Sequence, residues 1–217
     1  RAFPRCKTTL YDSGIRTPLL VRWPGKVKPG SVCGSLVSSV DLAPTFLELA
    51  GVPVPASIQG KSFVPLLKNP TAKTREHIFA EHNRHDYDAH NGAVRSERFK
   101  YIRNFDAYLP NTPPADAVRS LTFVEMRRLR DAGKLTPAQL MPFQKPKPAE
   151  ELYDVDADPH ELRNLAADPR HTTTLAQLRA VLGKWLRETN DPMPAVRAKD
   201  EFDRETGEPL PNRQLPR

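Results

Sequence analysis

Twenty-three of the 217 residues are proline, roughly twice the average frequency of about 5%. Proline fixes φ and removes a backbone donor, so it is expelled from helix interiors and central strands. A chain interrupted this often predicts short elements joined by many ordered loops, and argues against a compact helical bundle. Its length is enough for one ordinary domain, or one and a half small ones, with a real core. The 38% apolar content is low. Disorder is therefore expected for the last twenty residues, where the composition is polar, charged and proline-rich, but not elsewhere.

The net charge of +7 raises nucleic-acid binding as a possibility, yet the 33 basic residues are interleaved with 26 acidic ones. The densest basic run, Arg127-Arg128-Leu129-Arg130, has Glu125 and Asp131 beside it. That pattern argues against a nucleic-acid partner. A basic chain equally suits a polyanionic substrate such as a sulfated glycan, because long-range attraction speeds encounter. Charge alone does not separate the two. Cys6 and Cys33 make neither a disulfide framework nor a C-x-x-C metal spacing. No apolar run approaches the ~18 residues that span a bilayer, so no membrane partner is expected. The chain opens Arg-Ala-Phe-Pro-Arg with no signal peptide visible and no initiator Met, and an upstream segment is expected.

Leu19 to Trp23 reads as a buried strand closed by the Pro24-Gly25 turn, and Leu36 to Val40 as a second short extended piece. Asp41 is placed to cap a helix with Pro44 in its first turn and Phe46, Leu47 and Ala50 on its apolar face. Phe63 to Leu67 predicts one helical turn. His77 to His82 and Phe99 to Arg103 look like strands of an antiparallel meander, joined by a polar stretch that ends Ala93-Val94-Arg95. A helix is expected over Ala115 to Ala132, another from near Thr136, and a short strand over Glu151 to Val155. The clearest helix is Thr173 to Glu188, with Leu175, Leu178, Val181, Leu182 and Trp185 in one stripe. Alternation sets Arg98 and Lys100 on one strand face, Phe99 and Tyr101 on the other.

The segment Cys6 to Pro18 carries Lys, Asp, Ser and Arg into the first apolar run, and loops that end against rigid elements are common sites of binding and catalysis. A lysine ammonium there would act as a compact positive donor to a sulfate or phosphate oxygen. The plain alternative is a solvated lysine beside an Arg–Asp12 surface pair.

Lys7 to Gly25, K-T-T-L-Y-D-S-G-I-R-T-P-L-L-V-R-W-P-G, resembles the stretch that follows the second pair of metal ligands in sulfatases. Ser38-Ser39-Val40-Asp41-Leu42-Ala43-Pro44-Thr45 resembles that family's Asp-x-x-Pro-Thr helix start. Gln59-Gly60-Lys61-Ser62 with Pro65-Leu66-Leu67 is similar to its Gly-x-Ser-x-x-Pro-Leu-Leu turn. Glu151-Leu152-Tyr153-Asp154, Asp158-Pro159-His160-Glu161 and Asn164-Leu165 resemble its C-terminal signature. Each piece is weak alone; five in the same order cover most of residues 3 to 190. Phe3-Pro4 with Lys7 to Gly14, the run Glu81-His82-Asn83-Arg84-His85-Asp86-Tyr87, and Glu188-Thr189-Asn190-Asp191-Pro192 point within the family to heparan N-sulfatases.

The resemblance implies an α/β, alkaline-phosphatase-like sulfatase fold, of which this is the C-terminal part. Residues 1–75 would finish the large domain. Residues 76–192 would form a small antiparallel-sheet subdomain packed by a C-terminal helix, and 193–217 an extended tail. Lys7 matches the basic residue that contacts the sulfate, and its implied role is charge stabilisation in the transition state. The implied cofactors are Ca2+, with ligands outside this chain, and a formylglycine made from an upstream Cys or Ser. Neither Cys6 nor Cys33 is followed by Pro-Ser-Arg, so neither is read as that nucleophile, and the chain alone is expected to be inactive. The implied partner is a sulfated glycan, the implied location periplasmic or secreted; oligomeric state is not implied.

His82, His85 and His90 alternate with Asp86 and Asp88. A metal site is disfavoured, because no helix is expected there to align the i, i+3 pair and no H-E-x-x-H occurs. Imidazoles donate to hydroxyl and sulfate oxygens and titrate near neutrality. In the resembling N-sulfatases this segment approaches the substrate, so His82 and His85, and more weakly His90, are candidate glycan contacts. A solvated polar loop is the alternative. Two rival functions remain open: a phosphodiesterase or phosphatase of the same superfamily, and a non-catalytic polyanionic-glycan-binding module.

Overall fold

The computed structural model describes residues 5–191 and 197–211. In chain order its elements are α1 (Asp12–Ile15), α2 (Leu42–Leu49), α3 (Val64–Lys68), β1 (Ile78–Arg84), β2 (Asp88–Arg95), β3 (Phe99–Asn104), α4 (Ala115–Val118), α5 (Leu121–Asp131), α6 (Pro137–Leu140), β4 (Glu150–Asp154) and α7 (Thr172–Glu188). The described residues separate into two compact units. One takes those within 1–16, 80–93 and 100–217, the other those within 17–79 and 94–99.

The first unit is built on a four-stranded antiparallel sheet in the order β1-β2-β3-β4. The meander expected from the sequence is there, but the polar stretch between its first two strands is itself a strand, β2. Alternation could not reveal it, because β2 is buried on both faces. Its polar side chains survive burial through specific partners: Asp88 with Arg84, His90 with Asp106 and Asn91 with Lys147. The same holds on β3, where Lys100 and Tyr101 point to opposite faces and both are buried. Neither face of β3 is a solvent face.

α7 buries Leu175, Leu178 and Leu182 as its stripe predicts, each worth roughly 1.5–3 kcal/mol on transfer from water. It lies close to β2 at Gly92, where an added Cβ would sit 3.5 Å from Leu182 Cδ1. The single helix expected over Ala115 to Ala132 is two, α4 and α5. Ser120 adopts an extended backbone and accepts from Phe123 N at 3.3 Å, restarting the helix as an N-cap. Thr136 caps α6 in a capping box with Gln139.

The disorder expected for the last residues does not extend to 198–211. Phe202 is 2% exposed and meets Tyr87 edge to face at 5.8 Å, in a cluster with Val118 and Phe123. Glu201 N donates to Asp86 O at 3.1 Å, and Asp203 N to Glu208 O at 2.8 Å. One aromatic in a polar segment is enough to dock it, which composition averages away. Residues 192–196 and 212–217 lie outside the described set, as does part of the Phe3-Pro4 and Asn190-Asp191-Pro192 motifs.

In the second unit four expectations fail. Leu19 to Trp23 joins no strand, and Leu20 is 90% exposed. An apolar run becomes a strand only against a neighbour, and none pairs with it among the described residues. Leu36 to Val40 is no strand either; a 3-10 turn begins at Ser39. α2 forms as predicted, but Phe46 is 65% exposed, and the residues it buries are Pro44 and Thr45. Asp41 does not cap α2 through its side chain. Fully buried, it accepts from Ser38 N and Lys61 N, both at 2.8 Å, and pairs with Arg75. α3 falls where one helical turn was expected.

Candidate active site

The loop that bears Lys7 folds on itself before it meets the sheet. Thr9 Oγ1 donates to the carbonyls of Arg5 (2.8 Å) and Cys6 (2.9 Å), and Ser13 Oγ to that of Arg5. Gly14 sits where a Cβ would be 2.3 Å from Cys6 O, so only glycine permits this closure. Thr8 is held at φ 62°, a left-handed conformation that a β-branched residue rarely adopts and that tends to mark functional sites.

Three contacts clamp the loop to the sheet. Leu10 and Tyr11 are buried with Ile102, Tyr153 and Val155. The Arg5 guanidinium donates to Glu161 O at 3.1 Å and stacks 3.7 Å above the Tyr11 ring. Beneath it, fully buried Lys100 pairs with Asp12 and lies 2.7 Å from Glu161 Oε1, while Glu161 Oε2 accepts from Asp12 N at 2.6 Å. Burial pushes the Glu161 carboxyl upward, against the pull of Lys100. Asp12 thus belongs to this buried cluster.

Lys7 is left partly exposed, with Nζ 3.0 Å from Asp116 Oδ2. Asp116 lies in the first turn of α4, whose leading amide, Ala115 N, donates to Asp86 Oδ2 at 2.8 Å. His85 Nδ1 is 3.2 Å from the other Asp86 oxygen.

Next to Lys7, Thr8 lines a small cavity of about 20 Å3 together with Tyr11, His82, Asn91, Asn104 and Lys147. His82 is 9% exposed, and its Nε2 is buried without a hydrogen-bond partner. Burial first, and the nearby Lys147 charge second, hold its pKa down to about 4. The floor carries Glu151, which accepts from Tyr11 Oη (2.9 Å), Tyr153 Oη (2.5 Å) and Asn104 Nδ2 (2.7 Å). Burial and this carboxylate push both phenols upward. Of the three candidate histidines only His82 is in the cavity wall. His85 is partly exposed on Asp86, and His90, at φ 38°, turns its Nδ1 to Asp106 Oδ2 at 3.1 Å. Lys147 was missed in the sequence: in Lys145-Pro146-Lys147-Pro148 it looks like any loop lysine.

The N-sulphoglucosamine sulphohydrolase C-terminal family matches residues 5–109. An ulvan-active sulfatase of Formosa agariphila is 40% identical over 190 residues, covering 87% of this chain and 31% of the relative. The human N-sulphoglucosamine sulphohydrolase is 33% identical over 205 residues, covering 88% of this chain and 40% of the relative. This chain belongs to the sulfatase family. It spans about a third of the length of the curated relatives it matches. Two solved structures share the sulfatase chain's fold. One is a protein in complex with its substrate D-glucosamine-2-N,6-O-disulfate (TM-score 0.54, 24% identity, 79% of this chain and 28% of that one). The other is a phosphonate monoester hydrolase from Silicibacter pomeroyi (TM-score 0.55, 22% identity, 92% and 35%). The alkaline-phosphatase-like α/β class and its small antiparallel sheet stand as expected.

Proposed function

We propose that the longer protein to which this sulfatase chain belongs hydrolyses sulfate from a sulfated glycan, with N-sulfated glucosamine in heparan-type chains as the substrate. The observation that carries the reading is the clamped loop, which holds a partly exposed cation, Lys7, one residue from a polar cavity walled by His82. An ammonium fixed in this way stabilises negative charge that grows on sulfuryl and leaving-group oxygens without reorganising at the moment of reaction. On this reading His82, in the cavity wall, and the partly exposed His85 contact the sugar, Lys7 meets the sulfate in exchange for Asp116, and His90, buried on Asp106, does not reach it.

The nucleophile and metal belong to the part of the protein outside this chain. Calcium and a formylglycine made from an upstream Cys or Ser would supply charge neutralisation and the nucleophile there, held by residues outside this chain. Among the described residues no group of three or more His, Cys, Asp or Glu is placed to hold a metal ion. The exposed run Leu19 to Trp23 and the exposed Phe46 would be covered by that remaining part, with residues 1–75 completing its large domain.

The test is sulfate release, followed by ion chromatography, from N-sulfoglucosamine, 6-O-sulfated N-acetylglucosamine and a phosphate monoester. Release from the N-sulfated sugar by the longer protein is the expected result. Preferential hydrolysis of the phosphate ester would replace this reading with the phosphatase one.

A further inference from the structure

Lys147 lines the cavity and is buried there beyond what the loop and sheet explain. It is 6% exposed, and among the described residues its ammonium has one hydrogen-bond partner, the neutral Asn91 Oδ1 at 3.1 Å. An ammonium carries three donors, and a buried charge whose donors are not all met is costly; the Glu151 and Asp106 carboxylates act on it through their charge. Glu151, on the cavity floor, is already bound by two tyrosines and Asn104. Across the same cavity His82 Nε2 has no partner. The space between is about 20 Å3, enough for roughly one water-sized group. A whole sulfate does not fit; one terminal oxygen does.

We propose that Lys147 and His82 form a second anion-reading subsite, which takes one oxygen of an acidic group next to the sulfated position of the glycan. This rests on the sulfatase reading and narrows its substrate: the sugar carries a second acidic group besides the sulfate that is removed. Thr8, the residue after Lys7 in the chain, lines the same cavity as Lys147 and His82, which ties this subsite to the Lys7 loop. His82 in its Nε2–H tautomer donates to the oxygen, and stays neutral because burial first, and the Lys147 charge second, disfavour its protonation. The groups that face Lys147 come from several elements: Asn91 on β2, His82 on β1, Asp106 after β3, Glu151 on β4 and Arg204 in the docked C-terminal segment. Burial, then Arg204, lower its pKa to about 8 against Glu151 and Asp106. The cation is therefore present below pH 8 and lost above it.

The experiment uses the intact sulfatase and two probes: a heparin-derived disaccharide with an N-sulfate and a uronate carboxylate, and N-sulfoglucosamine alone. For wild type, KM for the disaccharide should rise as pH passes 8, while the monosaccharide shows no such step; this needs no variant. Lys147→Met keeps the stem and removes a buried charge whose donors are not all met, a change that cores commonly tolerate. Its preference for the disaccharide, as a kcat/KM ratio, should fall about tenfold or more, the scale of one charge-assisted hydrogen bond, with the loss in KM. An unchanged ratio, or equal pH steps for both probes, overturns the second subsite and leaves the sulfatase reading standing. No sulfate from either probe with wild type removes the sulfatase reading, and this one with it.

Discussion

Replacing Lys100 by methionine should strip the buried ammonium from the cluster that seats the Lys7 loop. Lys100 has no exposed surface, and Glu161 almost none. The variant removes the ammonium that lies against both the Asp12 and the Glu161 carboxylates. Removing one partner of a buried ion pair typically costs about 3–5 kcal/mol, a large share of the ~5–15 kcal/mol that holds a domain folded. At a urea m-value of about 2 kcal/mol/M the unfolding midpoint should drop by roughly 1.5–2.5 M. Protonation offers a partial escape, because burial already pushes the Glu161 carboxyl upward. The deficit should therefore shrink as pH falls from 7.5 to 5, and Lys100→Met with Glu161→Gln should recover part of it. Far-UV circular dichroism in urea at both pH values measures all three proteins. A loss below about 1 kcal/mol, independent of pH, would mean that the cluster is solvated and does not clamp the loop.

Three further outcomes follow from the same contacts. His82, held neutral down to about 4 against an ordinary 6.5, binds no proton in the folded state where the unfolded chain does. Stability should therefore fall as pH drops from about 6.5 to about 4, by on the order of 3 kcal/mol in all. His82→Leu should flatten that slope in a series of urea midpoints, and a slope equal to wild type would refute it. Phe202→Ala should cost about 3–5 kcal/mol, read as a lower Tm, because the ring is buried against Tyr87, Val118 and Phe123. A Tm unchanged within 1 °C would mean the C-terminal segment is not docked. The 217-residue chain alone should release no sulfate from N-sulfoglucosamine, and release above that of a Lys7→Ala control would contradict the division of labour proposed for the longer protein.

What the sequence disclosed depended on how local the signal was. α7 was legible because its apolar stripe repeats with the helical period over four turns, and α3 because Pro65 follows a helix start. β2 was not, since a strand buried on both faces with polar side chains has no alternation to read; Asp88, His90 and Asn91 are explained only by Arg84, Asp106 and Lys147, each far or oddly spaced in the chain. Leu19 to Trp23 misled for the opposite reason: its composition says strand, but pairing is a property of a neighbour. The loop of Lys7 was readable from Gly14 and the resemblance. Its seating on Lys100 and Glu161, and the buried Lys147, depend on contacts 50 to 150 residues apart that no local pattern encodes.

Lys7 is the residue on which the proposed chemistry of this sulfatase turns. The direct measurement is the kcat of Lys7→Ala in the longer protein, on N-sulfoglucosamine at saturating concentration. A fall of at least about tenfold is expected for the loss of a donor that acts on transition-state charge. A kcat equal to wild type would take Lys7 out of the active site.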